Sequence, residues 1–345
     1  MSSHPSDAPL PRVAVIGGGA FGLRHIETLI DLGALGAICE ASPERRHFLA
    51  GRFRDITVLD SLDACLQRDD IGGVVVATPP STHHFVARRA LEAGLDVLVE
   101  KPMTLCSADA RSLVDEAEQR RRVLMVGHLL LYHPAYVALA RAIHQGDLGE
   151  VRYFSGRRVK LGRVRAEENV LWSFAPHDLA VSLYLADETP SRIACVGASF
   201  VRPGVEDVAF VQMVYPSGRL TTLQVGWLEP QQVRRLVVVG STGAALLDEG
   251  GNPALTITPQ EVDPTTLAHA CGQAVTPELP AIEPLRAELE HFLHCMATRQ
   301  QPRSHGRQGL AVVHLLERAT ESLRCGGDWR DIDHDIVHPP FGADR

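Results

Sequence analysis

The sequence predicts an α/β chain in two parts: a doubly wound parallel sheet at the amino-terminal end, then an α+β part with an open, mainly antiparallel sheet. Three observations predict it. From residue 12 to about 130, apolar strand-like runs alternate with amphipathic helical patterns, the mark of βαβ units. From Glu150 to Leu246 the strand-like runs follow one another through short connections, which suits antiparallel pairing. The length of 345 residues fits two domains at roughly 100–200 residues each. The expected domains are residues 10–130 and 131–335.

In the first part, Arg12–Ile16 is β-branched and Phe21–Leu32 carries apolar residues at helical spacing. Leu35–Cys39 is the next strand and Pro43–Arg52 a charged helix. Gly73–Ala77 is continuously apolar, as expected of a strand buried on both faces. Ser81–Ala93 reads as a helix with Ser81 as N-cap and Gly94 at C′. Leu95–Val99 and Val123–Val126 are further strands around the helix Ser107–Gln119. In the second part the expected strands are Val151–Ser155, Ile193–Phe200, Asp207–Tyr215, Arg219–Trp227 and Arg234–Gly240. Pro216-Ser217-Gly218 marks a hairpin turn, and a helix spans Ser173–Leu185. Residues 251–284, rich in Pro, Thr and Gly, read as an irregular excursion before the helices Pro284–Thr298 and Gly309–Cys325.

Composition narrows the function classes. With 45% apolar and 22% charged residues the chain is globular, and the balance of 34 Lys+Arg against 42 Asp+Glu leaves a net charge of −8. That charge argues against nonspecific binding to nucleic acid or anionic membranes, and 5% aromatic residues leave little for base stacking. The seven cysteines are scattered without a C-x-x-C pair, so reduced thiols in a cytoplasmic protein are expected. MSSHPSDAPLPR lacks the basic and apolar regions of a secretory signal, and no apolar run reaches the ~18–20 residues of a membrane span. His291-x-x-His294 has no third ligand in frame, so no catalytic metal is expected.

The first motif is Gly17-Gly18-Gly19-Ala20-Phe21-Gly22, a G-x-G-x-x-G set between a strand and a helix. Gly17 allows the tight turn, Gly19 lets a pyrophosphate approach the backbone, and Gly22 permits close helix–strand packing. The free N–H groups of the helix start, with its dipole, then favour the phosphate charge. Glu40, at the end of the second strand, can accept both ribose hydroxyls and would repel a 2′-phosphate. NAD is therefore expected, with NADP the alternative because Arg45 and Arg46 follow closely. The second motif, Thr78-Pro79-Pro80-Ser81-Thr82-His83, ends another strand. Ligands bind at the carboxyl ends of parallel strands, so Thr78, Pro79 and His83 are expected near the nicotinamide, although a turn and a helix cap explain the same residues. The third is Glu100-Lys101-Pro102. A lysine held in a crevice by a proline turn is partly desolvated, which brings its pKa towards a working range.

In this order and spacing, the glycine turn, TPPSTHH and EKP resemble the Gfo/Idh/MocA family of oxidoreductases. The resemblance continues through VGHLLLYHPA (126–135), NVLWSFAPHD (169–178), GVEDVAF (204–210) and EPLRAELEHFL (283–293). It implies a Rossmann domain followed by an open-sheet domain, with hydride transfer between a nicotinamide and a sugar or cyclitol carbon in the cleft. It also implies homodimers or homotetramers built through the open sheet. LWxxAPHD points to branches acting on nucleotide-linked sugars. Carried across, Lys101 matches the family's active-site lysine, beside Glu100 on the cofactor side, and His177 the histidine of a D-x-x-x-H motif. Ser173 stands where many members carry the aspartate, so His177 lacks that orienting carboxylate; Asp178 projects about 100° away on a helix.

His128 and Tyr132, just after the last parallel strand, and Trp172 and Ser173 beside His177 are candidate substrate contacts. Arg158, Lys160, Arg163 and Arg165 form a basic run that would suit a diphosphate, or else a solvated strand edge. The expected reaction is oxidation of a ring hydroxyl, at C3, of a nucleotide-linked sugar such as a UDP-N-acetylhexosamine. The alternatives are reduction of a 3-keto dTDP-deoxysugar, dehydrogenation of inositol or a simple sugar, and nucleotide binding without turnover.

Overall fold

The computed structural model describes residues 11–162, 164–165, 168–252, 254–333 and 336. The chain forms two compact units, one running to Gly127 and taking in Leu285–Gly306, the other His128–Pro284 with the residues from Arg307 onward.

The first unit is built from β1 (Val13–Ile16), α1 (Ala20–Asp31), β2 (Leu35–Cys39), α2 (Pro43–Arg52), β3 (Val58–Leu59) and α3 (Leu62–Leu66). It continues with β4 (Gly73–Val76), α4 (Pro80–Glu92), β5 (Asp96–Val99), α5 (Ser107–Arg120) and β6 (Leu124–Val126). All six strands pair in parallel in the order β3-β2-β1-β4-β5-β6. The order reverses beside β1, and this switch point opens a crevice at the carboxyl ends of β1 and β4. The apolar runs of β1, β4 and β5 are fully buried, as strands covered on both faces must be. On α1, Gly22, His25, Ile26 and Leu29 form the buried stripe at helical spacing. Two short elements, β3 and α3, escaped the sequence reading because neither is long enough to show a period. The start of α4 is corrected too. Pro79 is its N-cap and Pro80 its first residue, so Ser81 is already inside; proline suits a first turn whose N–H is spare.

The second unit contains α6 (Pro134–Gln145), β7 (Val151–Leu161), α7 (Val170–Ala186), β8 (Arg192–Ala198), β9 (Val208–Val214) and β10 (Leu220–Gly226). Then come β11 (Leu228–Gly240), β12 (Gly243–Asp248), β13 (Leu255–Val262), β14 (His269–Cys271), α8 (Pro284–Thr298), α9 (Gly306–Arg324) and β15 (Arg330–Asp331). Nine strands form one sheet in the order β14-β13-β12-β11-β7-β10-β9-β8-β15. It is mainly antiparallel, with β7 and β10 parallel. Helix α7 packs on β7, β9 and β10. By strand register the opposite face presents Tyr153, Val196, Phe210, Leu220 and Leu246, all exposed. The region expected to be irregular, 251–284, instead supplies β13 and β14 to the sheet edge; alternation of apolar and polar residues there is broken by Pro259, which hid the strand.

The expectation that 131–335 is one domain is corrected by α8. Leu285–Gly306 clusters with the first unit, for three visible reasons. Arg299 donates to both oxygens of the buried Asp96 carboxylate at 2.8 Å. The N–H of Val126 donates to Ser304 O, and Met296 lies against Gly73 so closely that a Cβ there would meet its Cε at 2.7 Å. Long-range pairing of this kind leaves no local pattern in a sequence.

Candidate active site

At the switch point, Gly17 has φ +96°, and a Cβ there would sit 2.6 Å from Ala77 O. A Cβ at Gly22 would lie 1.9 Å from Gly17 O. Both positions therefore exclude any side chain. Gly19 differs: a Cβ would meet no protein atom within 4 Å. It is the N-cap of α1, with Ala20 and Phe21 exposed in the first turn, so the face it presents suits a close backbone approach by phosphate.

Glu40 is braced by main-chain donors. Gly18 N–H donates to Oε2 at 2.8 Å and Ser42 N–H to Oε1 at 2.8 Å. Each oxygen has two lone-pair sites, so each keeps one for a ribose hydroxyl. The two arginines that suggested a 2′-phosphate site are turned to carbonyls: Arg45 Nε donates to Gly18 O, and Arg46 Nη1 to Glu40 O and Ala41 O. Among the described residues, the glycine turn with Glu40 fits a dinucleotide whose ribose carries free hydroxyls.

The Thr78 and Lys101 loops are joined by His83. Its Nδ1 lies 2.8 Å from Pro102 O and its Nε2 2.9 Å from Thr78 O. A neutral imidazole donates to one of these carbonyls and a protonated one to both. The polar atoms of this buried ring thus face protein, and His83 braces two loops. Pro79 holds the same turn, where Thr82 Oγ1 lies 2.7 Å from both Thr78 Oγ1 and Pro79 O; with one proton it donates to the carbonyl and can accept from the Thr78 hydroxyl. Glu100 is also turned inward: His25 Nε2 stands 2.8 Å from its Oε1, and Lys101 N–H donates to Oε2 at 3.2 Å. A Cβ at Gly127 would lie 2.9 Å from Glu100 Oε1. One carboxylate therefore ties α1 and the ends of β5 and β6 beneath the partly exposed Lys101. His25 was not singled out in the sequence; an apolar-face histidine inside α1 gives no signal of its partner 75 residues away.

In the second unit, α7 begins at Asn169, whose Oδ1 accepts from Trp172 N–H at 3.1 Å. Ser173 is buried and His177, one turn on, is partly exposed. Trp172 spends its indole N–H on Thr320 Oγ1 at 3.0 Å. His128 and Tyr132 are both buried.

The basic run is not one cluster. Arg158 is buried, donating from Nε to Asp178 Oδ2 at 2.8 Å and from Nη2 to Glu249 Oε1 at 2.7 Å. Glu249 also accepts from Tyr136 Oη at 3.0 Å and pairs with Arg234 at 3.5 Å. Burial pushes the Asp178 carboxyl above its ordinary value against the pull of Arg158. Glu249 is held below its ordinary value: burial opposes this, but Arg158, Arg234 and the Tyr136 hydroxyl outweigh it. Arg165 pairs with Glu168 at 3.0 Å, and Lys160 Nζ stands 5.5 Å from the Phe174 ring centroid. Arg163 lies outside the described residues. Arg158 is therefore an internal counter-ion, and the expected four-cation diphosphate cradle does not form from the described residues. Glu249 and Tyr136 were missed because nothing local marks them.

Among the described residues, no group of three or more His, Cys, Asp or Glu stands together as a metal site, and no helix is long and apolar enough to cross a membrane. Residues 11–128 match the oxidoreductase family with an NAD-binding Rossmann fold, and residues 136–246 the Gfo/Idh/MocA C-terminal domain. A UDP-N-acetylglucosamine 3-dehydrogenase from Acidithiobacillus ferrooxidans is 27% identical over 313 residues, 88% of this chain and 94% of that protein. A solved structure of that enzyme superposes with a TM-score of 0.80 over 91% of this chain and 97% of its own. A scyllo-inositol 2-dehydrogenase (NAD(+)) from Bacillus subtilis is 24% identical, covering 91% of this chain and 94% of that one. An Azotobacter vinelandii inositol dehydrogenase homologue, solved with NADH and myo-inositol, shares the fold at TM-score 0.79 and 22% identity, covering 94% and 98%. The chain belongs to the Gfo/Idh/MocA family and is a nicotinamide-dependent oxidoreductase with an NAD-binding Rossmann domain.

Proposed function

We propose that the chain oxidises a ring hydroxyl, at C3, of a nucleotide-linked sugar such as UDP-N-acetylglucosamine, with NAD as cofactor. The observation that carries this reading is the likeness to the Acidithiobacillus enzyme, which extends over nearly all of both chains. With its pyrophosphate held at the glycine turn, NAD would supply a hydride acceptor in its nicotinamide ring. Glu40 receives the adenosine ribose hydroxyls, and the N–H groups at the start of α1 receive the pyrophosphate. Lys101, its backbone steadied by Glu100 and the neighbouring loop by His83, polarises the reacting oxygen. His177 removes the hydroxyl proton. A serine at 173 offers no charge to the imidazole, so Lys101 carries a larger share of the polarisation.

The withdrawal of Arg158 into an internal ion cluster favours a second reading, dehydrogenation of inositol or an unlinked sugar, because fewer cations remain for a diphosphate. The exposed apolar face of the nine-stranded sheet supports assembly with a second copy of the chain. Purified protein with NAD and a panel of UDP- and dTDP-hexoses, myo-inositol and free hexoses decides the substrate by NADH formation. Turnover of UDP-N-acetylglucosamine is expected. Turnover confined to myo-inositol would replace the nucleotide sugar, and light scattering reads the assembly.

A further inference from the structure

The chain's 34 lysines and arginines include only two lysines, Lys101 and Lys160. Arginine thus serves nearly every general cationic duty, and a retained lysine marks a place where a compact, rotatable ammonium is used. Lys101 already has a proposed role. Lys160 lies on β7 two residues after Arg158, so both side chains leave the same face of the strand, towards α7. Arg158 meets Asp178, and Lys160 stands over Phe174. Phe174, His177 and Asp178 are spaced i, i+3 and i+4 and share one face of α7. Lys160 therefore faces the helical turn that carries His177.

The surroundings of Lys160 differ from those of the other cations in the run. Among the described residues it has no carboxylate at ion-pair distance, whereas Arg158 has two and Arg165 one. Its stem is set along the backbone, since a Cβ at Gly162 would lie 3.2 Å from Lys160 Cε. An ammonium over an aromatic face is partly desolvated and attracted to the ring, but the ring takes none of its three N–H donors in a directed hydrogen bond. One ammonium is a poor match for a diphosphate. It is a good match for a sugar oxygen beside the carbon that His177 serves.

We propose that Lys160 is a substrate-contacting residue whose ammonium donates to a ring oxygen substituent next to the reacting carbon. The proposal rests on the placement of the substrate at His177 given above. It divides the substrate's recognition: the sugar is held by a lysine of β7, and the diphosphate is left to other groups.

Two lysines make the test direct. Reductive methylation with labelled formaldehyde gives one lysine signal each for Lys101 and Lys160, assigned with K101R and K160R. In the NADH-saturated protein, the Lys160 signal is expected to move with UDP-N-acetylglucosamine and to stay in place with UDP alone. K160M should raise KM for the sugar about 10- to 100-fold, the range for a hydrogen bond to a charged donor, with the Kd for NADH within about twofold. K160R should recover part of that loss. Movement with UDP alone, or a K160M enzyme with unchanged KM, overturns the proposal. The underlying reading fails separately, through an H177N variant that retains full turnover or a wild type that does not bind the nucleotide sugar by calorimetry. In the latter case the same titration with myo-inositol decides Lys160, by movement or none.

Discussion

Glu40 in the first unit and Glu249 in the second are both carboxylates engaged on each oxygen, yet they are held in opposite ways. Glu40 is gripped by two neutral main-chain N–H groups, which orient it and leave its negative charge uncompensated at the rim of the glycine turn. Glu249 is gripped by Arg158, Arg234 and a tyrosine hydroxyl, which cancel its charge inside the unit. A charge braced by dipoles stays available to a ligand; a charge braced by a counter-ion becomes part of the framework. Lys160 and Arg158, two residues apart on one strand face, also differ in their partners: an aromatic ring for the one, two carboxylates for the other.

The largest effect that would break this comparison is R158M. It takes the paired cation from Asp178 and leaves Glu249 with Arg234 and the Tyr136 hydroxyl, and losing one partner of a buried pair costs about 3–5 kcal/mol. Denaturant unfolding should show that loss; a variant as stable as wild type would mean Arg158 is a free binding cation. E40A comes next. It should weaken NADH binding about 10- to 100-fold, as loss of charge-assisted hydrogen bonds does, without lowering stability by more than about 1 kcal/mol, since no buried ion is stranded. Fluorescence titration with NADH and NADPH measures it, and the preference for NADH should shrink.

A smaller effect concerns pH. Glu249 lies below its ordinary value, so its contribution is fully present above that value and is lost as pH falls through the lowered one. Asp178 is raised, so its contribution runs the other way: present below its ordinary value and lost as pH rises through the raised one. The two partly cancel in wild type. D178N removes the opposing member, and its stability should therefore fall more steeply on acidification than that of wild type, as followed by denaturant midpoints across the acid range. The smallest change is R165A. An exposed i,i+3 pair contributes at most about 1 kcal/mol, so stability should barely move. A drop as large as that of R158M would mean the two cations share one network.

The sequence was most legible where function needs a local backbone shape. Gly17, Gly22, Glu40 and the TPP and EKP turns fall within short stretches, each fixed by neighbours a few residues away or by the end of its own strand. Their assembly at one sheet edge follows from the βαβ order. His83 and Glu100 are expected on the cofactor side, but their polar atoms turn inward, which the sequence does not foretell because His83 binds across 19 residues and Glu100 across 75. For the same reason the run that holds Arg158 suits either a diphosphate or a solvated strand edge when read from sequence. The partners of Arg158 lie 20 and 91 residues away, and a run of basic letters looks alike whether solvated or neutralised.

By itself, then, the sequence determined the parallel first sheet and the dinucleotide turn, since hydrophobic period and glycine stereochemistry act locally. Only the tertiary structure decided that α8 joins the first unit, that Pro259 lies within a strand, and which charges are cancelled. The reason is physical. Whether an ion remains available depends on burial and on partners brought together by the fold, and neither is written in the order of its neighbours along the chain.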